Sequence, residues 1–210
     1  MGYFPFFMDI SGRSCVIVGG GTVALRKAEK LYPFSPQITV IAPEIAPEFS
    51  LLKGLRLEVR PFRDFDIAGA FLVIAATDDP AVNERIYHLC RQRQILVNSV
   101  DDPAHCTFYF PALVHQDDIT VGISTAGTSP VMARYLRQQT EALLDRDLLG
   151  TAAVLKKWRP YVKAHFETAA QRLNAMDALM EHCLASEELP DDAATLLFLE
   201  ELYETDNRNP

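Results

Sequence analysis

The sequence predicts an α/β protein that begins with a parallel sheet and ends in helices. Over the first half of the chain, short and continuously apolar segments alternate with helical ones, which is typical of a parallel sheet covered on both faces. After about residue 102 the pattern changes, first to β-like segments and then to helical segments alone. We therefore expect three parts, at residues 1–112, 113–146 and 147–210.

The elements of the first part follow from apolar runs, helical periodicity and the positions of proline. We expect strands at Ser14–Val18, Ile38–Ala42, Leu57–Arg60, Phe71–Ala76 and Ile95–Ser99, and helices at Thr22–Tyr32 and Pro80–Arg93. Proline suits the first turn of the second helix, because an N–H at that position has no partner within the helix.

A hairpin and a helix are expected next, followed by helices alone. The hairpin strands are predicted at Thr107–Val114 and Ile119–Ser124. Ser129 as a cap and Pro130 in the first turn predict a helix over Val131–Leu144. Beyond residue 148 the periodicity is helical, with breaks expected at Pro160, residues 186–188 and Pro190.

The composition argues against several classes of partner. No apolar run approaches the roughly 20 residues that span a bilayer, so no membrane segment is expected. No basic stripe is present to neutralise a phosphate backbone, so nucleic acid is not an expected partner. Scattered cysteines predict free, structural thiols in a cytoplasmic protein, and no metal site; they are Cys15, Cys90, Cys106 and Cys183.

A glycine-rich turn follows the first predicted strand and opens the first predicted helix. Gly19 permits the tight turn, Gly21 lets the backbone approach a bound pyrophosphate, and Ala24 is small enough for close packing of helix on strand. The free N–H groups and the positive end of the helix dipole then hold the pyrophosphate. The turn predicts an NAD-type cofactor and a Rossmann-like sheet; a purely structural tight turn is the alternative.

Two further strand ends bear on the cofactor. A carboxylate for the adenosine ribose is expected where the second strand ends, but Ala42 stands there, and the nearest acid is Glu44, beyond Pro43. Either Glu44 reaches the ribose or the backbone makes that contact, and because no base flanks Glu44, NAD is favoured over NADP. Thr77 and Asp78 follow the fourth strand and are expected near the cofactor, unless they only form a turn that caps the next helix.

Six motifs follow one another along the first 146 residues: Pro5–Phe7, Ser14–Ala24, Val40–Glu44, Ala75–Asp78, Val97–Pro103 and Ser124–Arg134. Together they resemble the precorrin-2 dehydrogenase and siroheme synthase N-terminal family. The resemblance implies a Rossmann-like sheet, a small α+β dimerisation region and a C-terminal helical domain. It also implies NAD-dependent oxidation of precorrin-2 to sirohydrochlorin, on the way to sirohaem, cobalamin or haem.

The resemblance implies roles for single residues as well. Cofactor contacts fall on Thr22, Val23, Pro43 and Glu44. The family's proposed catalytic aspartate falls on Asp101, which follows the fifth strand where a substrate would face the nicotinamide. A carboxylate there could accept a proton if burial raised its pKa. The alternative is a turn aspartate, although Asp102 is the more natural turn former.

A tetrapyrrole with many carboxylates needs hydrogen-bond donors around it. The helix start near residue 128 offers free N–H groups, and arginines on that helix suit carboxylates. The expected wall of the substrate site consists of Asn98, His105, Thr128, Ser129, Arg134 and Arg137. A capped surface or dimer helix is the alternative.

Three functions are consistent with these motifs. The first is an NAD-dependent precorrin-2 dehydrogenase, and the second is a non-catalytic NAD(H)-sensing module that has no use for Asp101. The third is a metal chelatase, since His105 and Cys106 lie close to Asp101 in the sequence, although without metal-ligand spacing. Because the apolar stripes beyond residue 148 are too many for one small helical unit, we expect a homodimer to which residues 107–124 and the following helices contribute.

Overall fold

The computed structural model describes residues 4–208, except for the side chains of residues 146 and 206–208. The described residues form two compact units, which divide between Phe110 and Pro111. The ends of the predicted parts at residues 1–3 and 209–210 lie outside the described residues. A separate boundary at residue 146 stays a prediction.

The first unit is built on a parallel sheet. Its strands are β1 (Ser14–Val18), β2 (Gln37–Ala42), β3 (Arg56–Val59), β4 (Leu72–Ala75) and β5 (Leu96–Ser99). Their order in the sheet is β3-β2-β1-β4-β5. Cys15 on β1 pairs with Ile38 on one side and with Leu72 on the other, so β1 is central. The predicted α/β class is confirmed, and the strand order reverses between β1 and β4, where ligands of such sheets bind.

Two helices cover opposite faces of this sheet, namely α1 (Thr22–Leu31) and α2 (Pro80–Gln92). Ala24 and Ala28 of α1 share a buried cluster with Ile17 of β1. Ile86 and Cys90 of α2 share another with Val18. Successive residues of β1 point to alternate faces, so a strand buried on both sides is apolar throughout.

The predicted strand at Thr107–Val114 is wrong in its first half, because the strand begins only at Ala112. Thr107 instead bonds to β5: its N–H donates to Val97 O at 2.8 Å, and its hydroxyl accepts from Val97 N at 2.8 Å. Phe108 and Phe110 then pack against the apolar cluster under α1. The Thr107 hydroxyl thus takes the place of a backbone carbonyl as the acceptor for Val97 N. The segment that contains Thr107 lies beside β5 but does not add a strand to the sheet.

The second unit contains a hairpin and helices. They are β6 (Ala112–Gln116), β7 (Ile119–Ile123), α3 (Pro130–Leu143), α4 (Arg146–His165), α5 (Ala169–Ala185) and α6 (Asp192–Arg208). The two strands are antiparallel. Val162, Leu179 and Leu199, from the last three helices, meet in one buried cluster. Within the described range, no helix is long and apolar enough to cross a membrane.

The predicted helix break at Pro160 is wrong, since α4 continues through it to His165. Leu155 and Trp158 before the proline, and Val162 and Phe166 after it, all contribute to the same cluster. This packing holds the segment helical, although proline removes one helix hydrogen bond.

A buried ion pair holds the loop after β3. The guanidinium of Arg60 donates to both carboxylate oxygens of Asp66, each at 2.8 Å, and the Asp66 side chain is only 3% exposed. Asp66 also accepts from the backbone N–H of Arg63 at 2.8 Å. The hydrogen bonds from Arg60 hold the pKa of the Asp66 carboxyl below its usual range, although burial opposes them.

Replacement of this carboxylate should destabilise the fold in a pH-dependent manner. A carboxyl whose pKa is lowered in the folded state stabilises the protein above its unfolded pKa of about 3.9, and that contribution is lost as the pH falls through the lower folded value. Asp66→Asn should therefore lower the free energy of unfolding by about 2–3 kcal/mol at pH 7. Its unfolding should also depend less on pH below about 4.

Urea unfolding between pH 3 and pH 7 measures both effects. Asp64→Asn is the matched control, because Asp64 lies in the same turn and its ion pair with Arg85 is much more exposed. It should change the free energy of unfolding by less than about 1 kcal/mol. Equal losses in the two variants would contradict the role given to Asp66.

Candidate functional site

The turn between β1 and α1 requires glycine at its first position. Gly19 has a φ of +126°, and a Cβ there would lie 2.1 Å from Ala76 O at the end of β4. Its N–H donates to Ile41 O of β2 at 2.9 Å. The turn therefore lies directly between the ends of two neighbouring strands.

Gly20, which the sequence pattern leaves unspecified, is equally constrained. A Cβ at this position would lie 2.1 Å from Glu44 O and 2.8 Å from Ile45 Cα. Its own carbonyl accepts from Ala46 N at 2.9 Å. Gly20 thus fixes the loop after β2, and the run of three glycines was the signal that could have identified it.

Gly21 differs from its two neighbours, because a Cβ there would meet nothing within 4 Å. It is the N-cap of α1, which has no side-chain cap and no acidic residue in its first turn. The open space and the unpaired N–H groups at this helix start fit a pyrophosphate, as the sequence predicts.

A cavity of about 1050 Å³ opens at this end of the sheet. The predicted cofactor residues line it, with the exception of Ala24, and so does Asp101. The lining members of the predicted set are Gly19, Gly21, Thr22, Val23, Pro43, Glu44, Thr77 and Asp78. Ala24 is fully buried on the side of α1 that faces the sheet, and its small side chain allows the helix to approach the sheet.

One side of the cavity is built by residues that sequence reasoning missed. Phe62 follows β3, while Val82 and Arg85 lie on α2. Arg85 Nη2 lies 2.7 Å from Asp64 Oδ1, so this arginine already has a carboxylate partner. No local pattern marks these positions, because the strand order brings them together.

The turn after β4 is fixed by Asn83 of α2, which the sequence analysis also missed. The Thr77 hydroxyl donates to Asn83 Oδ1 at 2.7 Å, and Asn83 Nδ2 donates to Thr77 O at 2.9 Å. Asp79, not Asp78, caps α2, since its side chain accepts from Ala81 N at 2.9 Å. Asp78 is therefore exposed at the cavity without a capping role.

Asp101 stands at the edge of the same cavity in an unusual backbone conformation. Its φ is +59°, in the left-handed region that few residues other than glycine adopt. Among the side chains that the structure describes, the hydrogen bonds and ion pairs do not include the Asp101 carboxylate. Asp102 is the turn-forming residue instead: it pairs with His105 Nδ1, and the hydrogen bond from His105 lowers the pKa of the Asp102 carboxyl.

Two predicted substrate residues lie next to Asp101 in the first unit but do not line the cavity. Asn98 is 95% buried; its Nδ2 donates to Phe108 O at 3.1 Å, whereas its Oδ1 has no hydrogen-bond partner in the part of the chain that is described. His105 is held by Asp102 and packs edge-on against Tyr87. Asn98 Oδ1 is thus a buried hydrogen-bond acceptor that no described residue satisfies.

The remaining predicted substrate residues belong to the second unit. Ser129 caps α3 by accepting from Met132 N at 3.1 Å, and Thr128 N donates to Thr125 O at 2.9 Å. Arg137 is paired with Glu141 at 2.5 Å, whereas Arg134 is exposed and enters no ion pair within residues 4–208.

The described residues contain no group of three or more histidine, cysteine, aspartate or glutamate side chains that could hold a metal ion. His105, Cys106 and Asp101 therefore do not form the cluster that a resident metal would need.

The chain is similar to known proteins over most of its length. A model of an NAD(P)-binding family matches residues 6–112. Siroheme synthase of Actinobacillus succinogenes is 40% identical over 182 residues, which cover 85% of this chain and 38% of that protein. Siroheme synthase of Zymomonas mobilis is 38% identical over 214 residues, which cover 99% of this chain and 45% of that protein. The chain thus spans less than half the length of these relatives.

A solved structure, "SirC, precorrin-2 dehydrogenase", has the same fold. Its TM-score is 0.75 at 21% identity, and the match covers 96% of this chain and all of that one. The family resemblance predicted from the motifs is confirmed by the family model and by the two siroheme synthases, and the solved structure shows that the fold is shared.

Alanine substitutions should separate the structural and binding roles of the glycines. Gly21→Ala places a methyl group in the cavity, so it should weaken NAD binding about tenfold or more while lowering the free energy of unfolding by less than about 1 kcal/mol. Gly20→Ala, the matched variant, should lower the free energy of unfolding by about 1–3 kcal/mol, because its methyl group meets the backbone at Glu44.

Calorimetric titration with NAD and urea unfolding measure these two quantities. The assignment of Gly21 to the cofactor would be wrong if Gly21→Ala bound NAD as tightly as the natural chain.

Proposed function

Since the chain belongs to the NAD(P)-binding family matched over residues 6–112, we propose that it oxidises precorrin-2 to sirohydrochlorin with NAD. One observation carries the proposal: the glycine loop and Asp101 lie on the same cavity, at the carboxyl ends of the strands. A hydride acceptor and a proton acceptor would thus face one reacting group. The names of the relatives, siroheme synthase and precorrin-2 dehydrogenase, support this choice of substrate.

The residues around the cavity fit a dinucleotide. Gly21 leaves room for a pyrophosphate at the start of α1, and Glu44 borders the cavity after β2, where a ribose would lie. Bound NAD would supply the acceptor for the hydride. The arginine that lines the cavity, Arg85, is engaged by Asp64, which supports NAD over NADP because a 2′-phosphate would lack a free partner.

Asp101 is proposed as the general base. Loss of a hydride from the reduced macrocycle is accompanied by loss of a proton, and the Asp101 carboxylate stands at the cavity without another hydrogen-bond partner among the described residues. The left-handed backbone conformation of Asp101 costs energy. Residues in such conformations are common at active sites.

We also propose a substrate-binding role for Asn98 in the first unit and, as a separate proposal, for the start of α3 in the second. Asn98 Oδ1 is a buried acceptor without a partner among the described residues, so a pyrrole N–H that reached it would satisfy it. The backbone N–H groups of Thr128 and Ser129 already donate to Thr125, so the donors proposed for carboxylates are their hydroxyls and the guanidinium groups of Arg134 and Arg137.

A homodimer is part of the proposal, and α3 supports it. None of its residues, all of them within the described range, is buried. One apolar stripe runs along it with side chains that are 41–70% exposed: Val131, Met132, Tyr135, Leu136 and Leu143. An exposed stripe of this size favours contact with a second copy.

A cytoplasmic location completes the proposal. Cys15, Cys90, Cys106 and Cys183 are all free thiols, and burial raises the pKa of Cys15 to about 11. Free, unreactive cysteines are typical of proteins in reducing compartments.

Anaerobic incubation with precorrin-2 and NAD tests the activity. We expect NADH and sirohydrochlorin to form in equal amounts, measured by absorbance.

Asp101→Asn should lower kcat at least about a hundredfold with unchanged NAD affinity, because asparagine tolerates the same backbone but cannot take the proton. Asp102→Asn is the matched control and should keep most of the activity.

The outcomes separate the candidate functions. NAD binding without turnover would support the sensing module and contradict the proposal. Metal insertion into sirohydrochlorin without NADH formation would identify a chelatase instead. Full activity of Asp101→Asn would remove Asp101 as the base.

The dimer is tested by a charge placed on the apolar stripe of α3. Tyr135→Glu should convert a dimer to a monomer in light scattering, because the burial of an unpaired carboxylate at an interface has a large desolvation free energy. Leu197→Glu is the matched control, since Leu197 is equally exposed on α6 and should leave the dimer intact. A monomeric natural chain would contradict the proposed dimer.

A further inference from the structure

We infer that Lys27 binds a carboxylate of the substrate beside Asp101. The inference rests on the proposed function and extends it to a residue outside the motif positions assigned above.

Lys27 lies on α1 one turn beyond the cavity. Thr22 and Val23 line the cavity at the start of this helix, and Lys27 follows Val23 by four residues, on the same face. Lys27 itself does not line the cavity. It therefore lies outside the residues that would contact the cofactor.

The environment of the ammonium is partly apolar. Lys27 Nζ lies 4.2 Å from the centroid of the Phe110 ring, and Phe110 packs against Phe108 beside the sheet. Burial and the nearby charge of Lys30 lower the pKa of Lys27, whereas Asp101 and Cys106 oppose this effect.

This charge has no carboxylate partner of its own. Among the described residues, the ion pairs do not include Lys27, whereas Lys156 and Lys157 each contact an aspartate, at 2.6 Å and 2.5 Å. An ammonium that is half-buried without an ion-pair partner gains more from an incoming carboxylate than an exposed one does, because part of its desolvation is already complete.

A second polar group at the same place is also unsatisfied. Asn98 donates through Nδ2 to Cys106 Sγ at 3.4 Å, and its buried Oδ1 has no partner within residues 4–208. Asn98 Nδ2 also donates to Phe108 O at 3.1 Å, and Phe108 packs against the Phe110 ring that the Lys27 ammonium contacts. This aromatic pair therefore connects a cation, Lys27, with an acceptor, Asn98. A carboxylated tetrapyrrole could bind both residues, because its carboxylates would pair with the Lys27 ammonium and its pyrrole N–H groups would donate to Asn98 Oδ1.

The competing interpretation is purely structural: the Lys27 ammonium stabilises the fold through the Phe110 ring. Lys27→Met separates the two, because methionine keeps an apolar stem over the ring and removes the charge. Lys27→Arg keeps the charge. Arg26→Met is the matched control, since Arg26 is exposed on the same helix.

Binding of uroporphyrin III, a stable octacarboxylic tetrapyrrole, is measured by fluorescence in the presence of NAD. Lys27→Met should raise the dissociation constant about tenfold, Lys27→Arg less than about threefold, and Arg26→Met should leave it unchanged. NAD affinity should be the same in all four proteins. In turnover, Lys27→Met should raise KM for precorrin-2 by a similar factor with little change in kcat.

The inference is overturned if Lys27→Met binds uroporphyrin III and precorrin-2 as the natural chain does, or if Arg26→Met loses as much affinity. It is also overturned if Lys27→Met weakens NAD equally. The proposed function fails separately: binding that depends on Lys27 without oxidation of precorrin-2 supports the inference and contradicts only the dehydrogenase.

Discussion

Backbone atoms of three loops meet at Gly19 and Gly20, and the cavity has its shape because neither residue carries a Cβ. Such an atom would lie 2.1 Å from Ala76 O in one case and 2.1 Å from Glu44 O in the other. The ends of β1, β2 and β4 can therefore approach one another, and the start of α1 faces the space between them. The cavity residues that follow these strands, such as Glu44 and Thr77, depend on this approach.

Charged groups of the first unit fall into two kinds. Some are paired within the fold: Arg60 with Asp66, Arg85 with Asp64, and His105 with Asp102. Asp101 and Lys27 enter no ion pair among the described residues; Asp101 lines the cavity, and Lys27 lies one helical turn beyond Val23, which also lines it. The first kind stabilises the loops that form the cavity, and the second is available to a ligand. This division suits the oxidation of a polyanionic substrate, which needs a proton acceptor and a cation close together.

The second unit shows a similar contrast in its apolar residues. Helices α4, α5 and α6 bury Val162, Leu179 and Leu199 among themselves and so have a core of their own. Helix α3 has no buried residue, although its sequence is amphipathic. The exposed stripe is therefore not a consequence of a small unit that lacks a core. It belongs to one helix, which follows the hairpin directly.

Much of the fold and part of the candidate site follow from the sequence alone. Continuous apolar runs predicted the strands, and Pro80 and Pro130 predicted where two helices begin, because these signals act within a few residues. The Gly19–Ala24 pattern predicted the turn and its helix for the same reason. Prediction from the sequence failed where contacts with distant residues override the local preference for strand or helix. Thr107 bonds to β5 instead of extending a strand, and Pro160 is held in a helix by the packing of Val162 and Phe166.

Only the tertiary structure decided which glycine carries which role. Three adjacent glycines look alike in sequence, yet Gly20 meets the loop after β2 and Gly21 faces open space. Likewise, nothing near Lys27 in sequence indicates that its ammonium lies over the Phe110 ring. Local periodicity determines which segments form strands and helices. The environment of a side chain depends on residues far along the chain, which only the completed sheet brings together.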